Sequence, residues 1–424
     1  MAVYIVRPQD TLVERSLSLT SIKADSASRE KQTKEVVELR SEDVLYRQTR
    51  EYISEAVAVR PRPATVSEAA LSVQPRTAAI HEPRVRESLV TGTIVVDMDD
   101  EAAAQMQQEL PDVLVLRDQP FELIPPNRAA SATNNQRVED LDLWHQEAIG
   151  LTAARSNGFR RTGAGVTIAE LDTGIDPTHP ELKGKVPEAF TFDARPGVWT
   201  INEIRPSIDT DGHGTHVAGL MCGDNVGVAP GARVINGVMI PGGRGNLSDF
   251  ILALDWALNR TDVQILNMSA GIPGYSPEMQ QLVGDIRAVG VLPVFATGNE
   301  GRNRTRSPGN YRDPISVGAS NREAHVASFS SSGTLTAENH QYTVPDIVAP
   351  GQEVYSSVMG GGYEAWDGTS MATPIVSGVA ALILEKDQSI TIPELEDVIF
   401  ETCVDLKRPV ERQGRGLVQV EAAI

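Results

Sequence analysis

Seven residues, Gly368-Thr369-Ser370-Met371-Ala372-Thr373-Pro374, place one hydroxyl at a turn and then start a helix. The run after them, Pro374 to Lys386, is apolar and carries small residues (Ser377, Gly378, Ala380, Ala381), which predicts a buried and closely packed helix. Pro374 is expected in the first turn, where its missing N–H breaks no helical bond. Ser370 then stands at a helix N-terminus, where backbone N–H groups and the helix dipole stabilise negative charge. A serine so placed is either a cap or a nucleophile, and this stretch alone supports both.

A buried helix of that kind needs a large core to enter. The chain has 424 residues, 41% of them apolar, enough for one large core plus an accessory segment. From about Leu141 onward, strand-like runs alternate with helical ones, which predicts an α/β fold with a parallel sheet and helices on both faces. The strand-like runs are Val166 to Leu171, Val234 to Ile240, Val263 to Asn267, Val291 to Ala296, Ile315 to Ala319 and Ile347 to Ala349. The helical runs are His213 to Met221, Leu247 to Leu258, Pro277 to Val289, Pro374 to Lys386 and Pro393 to Thr402. One has clear punctuation, with Ser276 as N-cap, Pro277 in the first turn and Gly290 just past the end. In such sheets functional residues collect at the carboxyl ends of strands.

Residues 1–126 differ in texture. Ala2 to Val6 reads as a short strand, and the charged stretch Ser26 to about Ala58 as helical with solvated faces. A Pro-, Arg- and Ala-rich stretch at about 60–86 reads as a linker or flexible insertion. Gly92 to Asp97, Asp100 to Leu110 and Val113 to Leu116 read as strand, helix and strand, a unit too small to hold much core alone. From Pro125 the sequence turns polar and irregular, so residues 127–140 read as a linker and site of proteolytic nicking, with the main domain at 141–424.

The net charge of −19 argues against nucleic-acid and anionic-membrane partners. Two cysteines, Cys222 and Cys403, suggest free thiols rather than a disulfide framework. The start lacks a basic region followed by an apolar one, and no run approaches a membrane span, so a cytoplasmic location is expected.

Three further stretches carry polar groups suited to chemistry. Asp172 closes the first strand in Leu171-Asp172-Thr173-Gly174-Ile175-Asp176, where a plain turn residue is the alternative. His213 opens a small-residue helix in Asp211-Gly212-His213-Gly214-Thr215-His216-Val217-Ala218-Gly219. Its pairing with His216 at i and i+3 could suit a metal, but no third ligand has suitable spacing, so no metal is expected. Asn299 follows another strand in Phe295-Ala296-Thr297-Gly298-Asn299-Glu300-Gly301, able to point an amide N–H into the same cleft.

Together these supply what acyl transfer needs. A neutral hydroxyl is a poor nucleophile, and His213 can accept the Ser370 proton and return it to the leaving amine. Asp172 can hold the imidazole in the right tautomer and stabilise its cation. Asn299 and the Ser370 backbone N–H can receive the developing oxyanion.

The chain order Asp, His, Ser, with the motifs around Asp172, His213, Asn299 and Ser370 on these elements, resembles the subtilisin-like serine peptidases, the subtilases. The resemblance covers about Trp144 to Ile424. It implies a three-layer αβα sandwich with a mainly parallel central sheet, and hydrolysis of peptide bonds in protein or peptide substrates through an acyl-enzyme. It also implies that Asn267, Met268, Ser269, Ala270 and Gly271 form one wall of the specificity pocket, whose backbone pairs with an extended substrate; Thr297, Gly298 and Arg306 are read as further candidate substrate-binding positions. Gly92 to about Pro125, with the strand at Ala2 to Val6, resembles the small α+β inhibitory propeptide common in these enzymes. A segment of that kind templates folding of a slow parallel sheet and serves as an intramolecular inhibitor, cut off by self-processing of the zymogen. Phe121 to Pro126 is then either an inhibitory plug, in which a Pro beside the cut bond resists cleavage, or a plain linker. A separate regulatory domain is the alternative for the whole segment.

Three departures from the family pattern matter. The calcium-binding loop usual in the family is reduced to Gly223-Asp224-Asn225-Val226-Gly227, too few oxygens for the six or more that calcium prefers, so no cofactor is required and that site is expected to be absent. Glu170 stands where the family has an apolar residue and, if buried, needs a partner or a raised pKa. Arg302, Arg304, Arg306 and Arg312 make the loop after Asn299 basic; either it is a solvated loop, or Arg306 reaches the pocket and favours an acidic residue on the acyl side, which would make Glu139-Asp140 a self-cleavage site. Besides a general endopeptidase, the same residues suit a leader-peptide maturation protease, a peptide ligase, or a catalytically silent binding protein with the same fold.

Overall fold

The computed structural model describes residues 2–9, 21–58, 85–128, 138–192, 201–204, 207–337 and 339–423. Its centre is an eight-stranded sheet in the order Ile347–Pro350, Ile315–Ser320, Leu292–Ala296, Val263–Met268, Thr167–Asp172, Arg233–Val238, Ala189–Phe192 and Ile201–Ile204. Each neighbouring pair is parallel except the last. The expected strands all form, shifted by a residue or two at their ends.

Strand alternation sorts the core into two layers. Ile168, Val234, Ile265 and Val294 face the layer containing His213–Cys222 and Thr369–Lys386. Ala169, Ile235, Leu266 and Phe295 face the layer containing Leu247–Leu258 and Gln280–Ala288. The result is a three-layer αβα sandwich, as the resemblance implied. Near-continuous apolar strands such as Val263–Met268, buried at every position, are what a sheet covered on both faces requires.

Two helix starts differ from expectation. The Ser370 helix begins at Thr369, so Pro374 lies in the second turn and leaves the Ser370 carbonyl without its i+4 donor. The Thr373 hydroxyl, bonded to the Thr369 carbonyl at 2.8 Å, supports that turn. At the other helix Pro277 opens a 3-10 turn, Pro277–Met279, and the Ser276 hydroxyl bonds Glu278 instead of capping.

The N-terminal segment is a four-stranded antiparallel sheet in the order Val85–Ser88, Thr93–Met98, Ala2–Pro8 and Val113–Arg117. Tyr4, Val6, Ile94 and Val96 meet Tyr46, Ile53 and Met106 of its own helices. Ile5 and Val95 point the opposite way and join the core around Leu247–Leu258. This small sheet buries its second face only by docking on the larger domain. The linker expected at about 60–86 lies, but for its last two residues, outside the described residues, as does 129–137 of the expected processing stretch.

The stretch Ser26 to Ala58 forms two helices, Ser26–Glu42 and Val44–Ala58, but the solvated faces expected of it are not fully there. Arg29, Val36 and Arg40 of the first helix are buried. Arg40 Nη2 and Arg7 Nη1 each hold one oxygen of Asp285, at 2.8 and 2.7 Å. Arg29 donates to the carbonyls of Val289 at 2.9 Å and Leu258 at 3.0 Å, and also to those of Arg260 and Val263. One guanidinium thus satisfies orphan carbonyls just past two helices. At the opposite end of Leu247–Leu258, Asp118 accepts from Ser248 N at 3.0 Å and the Gln119 carbonyl from Leu247 N at 2.9 Å. The segment therefore caps both ends of one helix of the larger domain.

Candidate active site

Asp172, His213, Asn299 and Ser370 are carried by one rim of the sheet. Asp172 is the last residue of its strand and is buried. Its Oδ1 accepts from His213 Nδ1 and from Thr173 N, both at 2.7 Å. With Nδ1 as the donor, the neutral ring leaves Nε2 as an acceptor, and among the described residues Nε2 has no hydrogen-bond partner. His213 starts its helix after Gly212, whose φ of +99° suits glycine. The turn is built by Asp209, which accepts from Gly212 N at 2.8 Å, Thr215 N at 3.0 Å and Thr173 Oγ1 at 2.9 Å. Sequence reading missed Asp209, because it stands three residues before the N-cap position Gly212, outside the place where a capping signal lies.

Asn299 is oriented by the residue before the serine. Its Oδ1 accepts from Thr369 N at 2.9 Å and Thr369 Oγ1 at 3.0 Å, so the amide Nδ2 is turned into the cleft.

The cleft is filled by the chain itself. Pro120–Leu123 runs antiparallel between Arg244–Asn246 and Ala270–Pro273, with Glu122 opposite Gly271 and Leu123 opposite Ala270. Phe121 is buried and stacks on Phe250 with centroids 5.0 Å apart. Ile124 N donates to the Ser269 carbonyl at 3.1 Å. Beyond the centre, Asn127–Arg128 pairs with Asp367 and Trp366. At the centre, two successive carbonyls divide the groups: Ser370 Oγ donates to Ile124 O at 3.3 Å, and Asn299 Nδ2 to Pro125 O at 3.0 Å.

The other expected pocket residues separate into two groups. Ser269, Ala270 and Gly271 line the strand in the cleft. Asn267 instead faces inward, accepting from Ser377 Oγ at 2.9 Å, and Met268 packs in the core. Thr297 is buried, its hydroxyl on the Val317 and Ser331 carbonyls at 3.1 and 3.3 Å, while Gly298 N meets Thr369 Oγ1 at 3.3 Å. Arg306 does reach this wall, but Glu300 Oε1 holds its Nε at 2.6 Å and the Gly271 carbonyl its Nη1 at 3.2 Å. Its charge is already met, whereas Arg302, Arg304 and Arg312 are exposed.

The shortened loop does not fit calcium. Asn225 directs its backbone N and side-chain amide at the Glu181 carboxylate, at 2.7 and 2.8 Å, and Asp224 pairs with Lys185 at 2.6 Å. Calcium needs oxygens turned inward, and here N–H groups surround an internal carboxylate. The Nε2 of His216 meets the Glu364 carbonyl at 3.0 Å, and burial pushes its pKa down to about 3. Burial pushes both thiols, Cys222 and Cys403, up to about 12.

Glu170 is fully buried two residues before Asp172, and neither carboxyl oxygen has a partner among the described residues. Burial first, then the Asp172 and Asp209 charges, hold its pKa well above the ordinary 4.5. The folded chain therefore keeps this proton where the unfolded chain releases it, so stability is full below that ordinary value and falls as pH rises, by at most about 1.4 kcal/mol per pH unit. Glu170→Gln keeps the shape without the ionisation. Its melting temperature relative to the native chain should rise as pH is raised above the ordinary carboxylate range; a difference independent of pH would mean that Glu170 is ionised in the fold.

A sequence model described as the subtilase family matches residues 163–416, more than half of the chain. Subtilisin BL from Lederbergia lenta is 37% identical over 288 residues, covering 66% of this chain and 97% of that protein. Alkaline elastase YaB from Bacillus sp. (strain YaB) is 37% identical over 287 residues, 66% of this chain and 69% of its own. An alkaline protease from Alkalihalobacillus alcalophilus is 33% identical over 354 residues, 77% of this chain and 86% of its own, and so extends into the N-terminal segment. With this fold and these matches, the chain belongs to the subtilase family and is a subtilisin-like serine endopeptidase.

Proposed function

We propose that Ser370 is the nucleophile, His213 its general base and acid, Asp172 the group that orients the imidazole, and Asn299 an oxyanion donor, in a zymogen that processes itself. In the working site, His213 Nε2 takes the Ser370 proton as Oγ attacks a substrate carbonyl, and Asp172 stabilises the imidazolium. The oxygen of that carbonyl moves toward Asn299 Nδ2, already turned by Thr369, and toward the helix N-terminus. His213 then protonates the leaving amine, and water repeats the sequence on the acyl-enzyme.

One observation carries the self-inhibited reading: the serine and the oxyanion donor contact different carbonyls of the same strand. Attack needs one carbonyl to meet both. Both peptide bonds at the centre, Ile124–Pro125 and Pro125–Pro126, also have a proline nitrogen on the leaving side. With its proton directed to Ile124 O, Ser370 leaves His213 Nε2 unpartnered. Residues 120–128 thus lie as a substrate would, without presenting a bond that can be cut. Cleavage is then expected further on, before or at Glu139-Asp140.

A fluorophosphonate probe tests this on the full chain. Ser370 should label slowly while the chain is intact and at least about tenfold faster once the N-terminal fragment has gone. Immediate complete labelling of intact chain would remove the inhibitory role, and no labelling after fragment loss would remove the nucleophile.

A further inference from the structure

The far end of the strand in the cleft rests on Trp366, whose ring centroid also lies 6.4 Å from that of His213. Arg128 holds its guanidinium carbon 4.4 Å from the Trp366 ring centroid and forms an ion pair with Asp211. Backbone pairing sets this position, with Arg128 opposite Trp366 and Asn127 opposite Asp367. Asn127 Nδ2 also reaches Asp367 Oδ2 at 3.3 Å. The ring is held in place: Trp366 Nε1 donates to Glu364 Oε2 at 2.8 Å, and the indole stacks on His216 with centroids 4.3 Å apart. Because burial keeps His216 neutral, that stack brings no competing cation. Asp211 pairs with the guanidinium over that ring face, and Glu364 places a second carboxylate at the Nε1 edge of the ring, on a chain with net charge −19. An aromatic face with a carboxylate at its edge selects a guanidinium, which stacks flat and offers a planar fork, over an ammonium, which does neither.

We propose that Trp366 and Asp211 form a leaving-side subsite selective for arginine at the third residue past the cut bond, occupied in the intact chain by Arg128. The inference rests on the reading that residues 120–128 lie as a substrate lies. The count takes the carbonyl held by the oxyanion donor as the acyl side, not the Ile124 carbonyl that Ser370 meets: Asn299 holds that of Pro125, so Pro126, Asn127 and Arg128 are the first, second and third leaving-side residues. Trp366 supplies the ring face and Asp211 the opposite charge. Substrates of this endopeptidase are then basic on the side that departs first.

The full chain, after it has processed itself, is given internally quenched peptides differing only in the second, third or fourth leaving-side residue. Arginine at the third position should raise kcat/KM about tenfold over alanine, with lysine between them, glutamate lowest, and the contrast shrinking at high salt. Asp211→Asn should cut the arginine-to-alanine ratio to about twofold, and Trp366→Ala should reduce it as well. A flat profile at the third position, or a ratio unchanged in both variants, overturns the subsite. A peptide nitroanilide, which has no leaving-side residues, runs alongside. If it too is left intact, the proposed triad has failed; if it is hydrolysed without any arginine preference, the subsite alone has failed.

Discussion

Full-length chain carrying Ser370→Ala should keep its unprocessed mass indefinitely, while the native chain loses an N-terminal fragment ending between Ile124 and Asp140. The variant removes only an oxygen from a buried position in a helix, so the fold is retained. What disappears is the atom that would carry the acyl group. Loss of the nucleophile costs about 10⁶-fold in turnover in this family, more than any incubation recovers. Asn299→Leu is expected to do less, about 10²- to 10³-fold in kcat, the size known for a side-chain oxyanion donor in the family. The split is informative, because Asn299 also receives the Thr369 N–H and hydroxyl. If Ser370→Ala still releases the fragment, a contaminating protease or another nucleophile is responsible, and the proposed roles of Asp172 and His213 go with it.

Asp285→Ala should be the most destabilising single change at the contact between the two parts of the chain. The Asp285 carboxylate sits in the helix Gln280–Ala288 and receives Arg7 and Arg40, one on each oxygen, with all three side chains buried. Removing it takes the shared carboxylate from two buried guanidinium groups, while Arg7 keeps Gln281 Oε1 at 3.0 Å. Breaking a buried pair in this way costs about 3–5 kcal/mol, because the stranded charge keeps its desolvation penalty. Measured in the Ser370→Ala background, where processing cannot intervene, the variant should melt earlier or expose the N-terminal segment to added protease. A loss below about 1 kcal/mol would show that water reaches the arginines and that this contact does not hold the segment in place. Arg29→Met provides a comparison, since it frees carbonyl groups rather than a charge.

Much of the architecture was legible because its signals are local. Largely apolar runs of three to seven residues between turn-forming stretches identified the parallel strands, since a strand covered on both faces is apolar along most of its length. Leu247 to Leu258 was bounded correctly as a helix. The motifs around Asp172, His213, Asn299 and Ser370 were readable because each puts a polar side chain immediately after a strand or at the opening of a helix, where alternation and capping fix its direction. Pro374 misled, because the helix starts at Thr369 and accepts a lost bond in its second turn. The Ser26 to Glu42 helix misled more. Its mean pattern is polar, and nothing within it shows that Arg29 and Arg40 are aimed at carbonyls and a carboxylate more than two hundred residues away.

By itself the sequence determined which segments become strands and helices, and which four polar groups come to one rim of a parallel sheet. These follow from periodicity, capping and chain order. Tertiary structure alone decided that Glu170 is buried without a partner, that Asn267 faces inward while Ser269 lines the cleft, that Glu300 occupies Arg306, and that Ile124 and Pro125 divide Ser370 and Asn299 between them. Each of those depends on an atom supplied by a distant part of the chain. Burial and hydrogen-bond partnership are set by that neighbour, and a run of residues read along its own length carries no record of it.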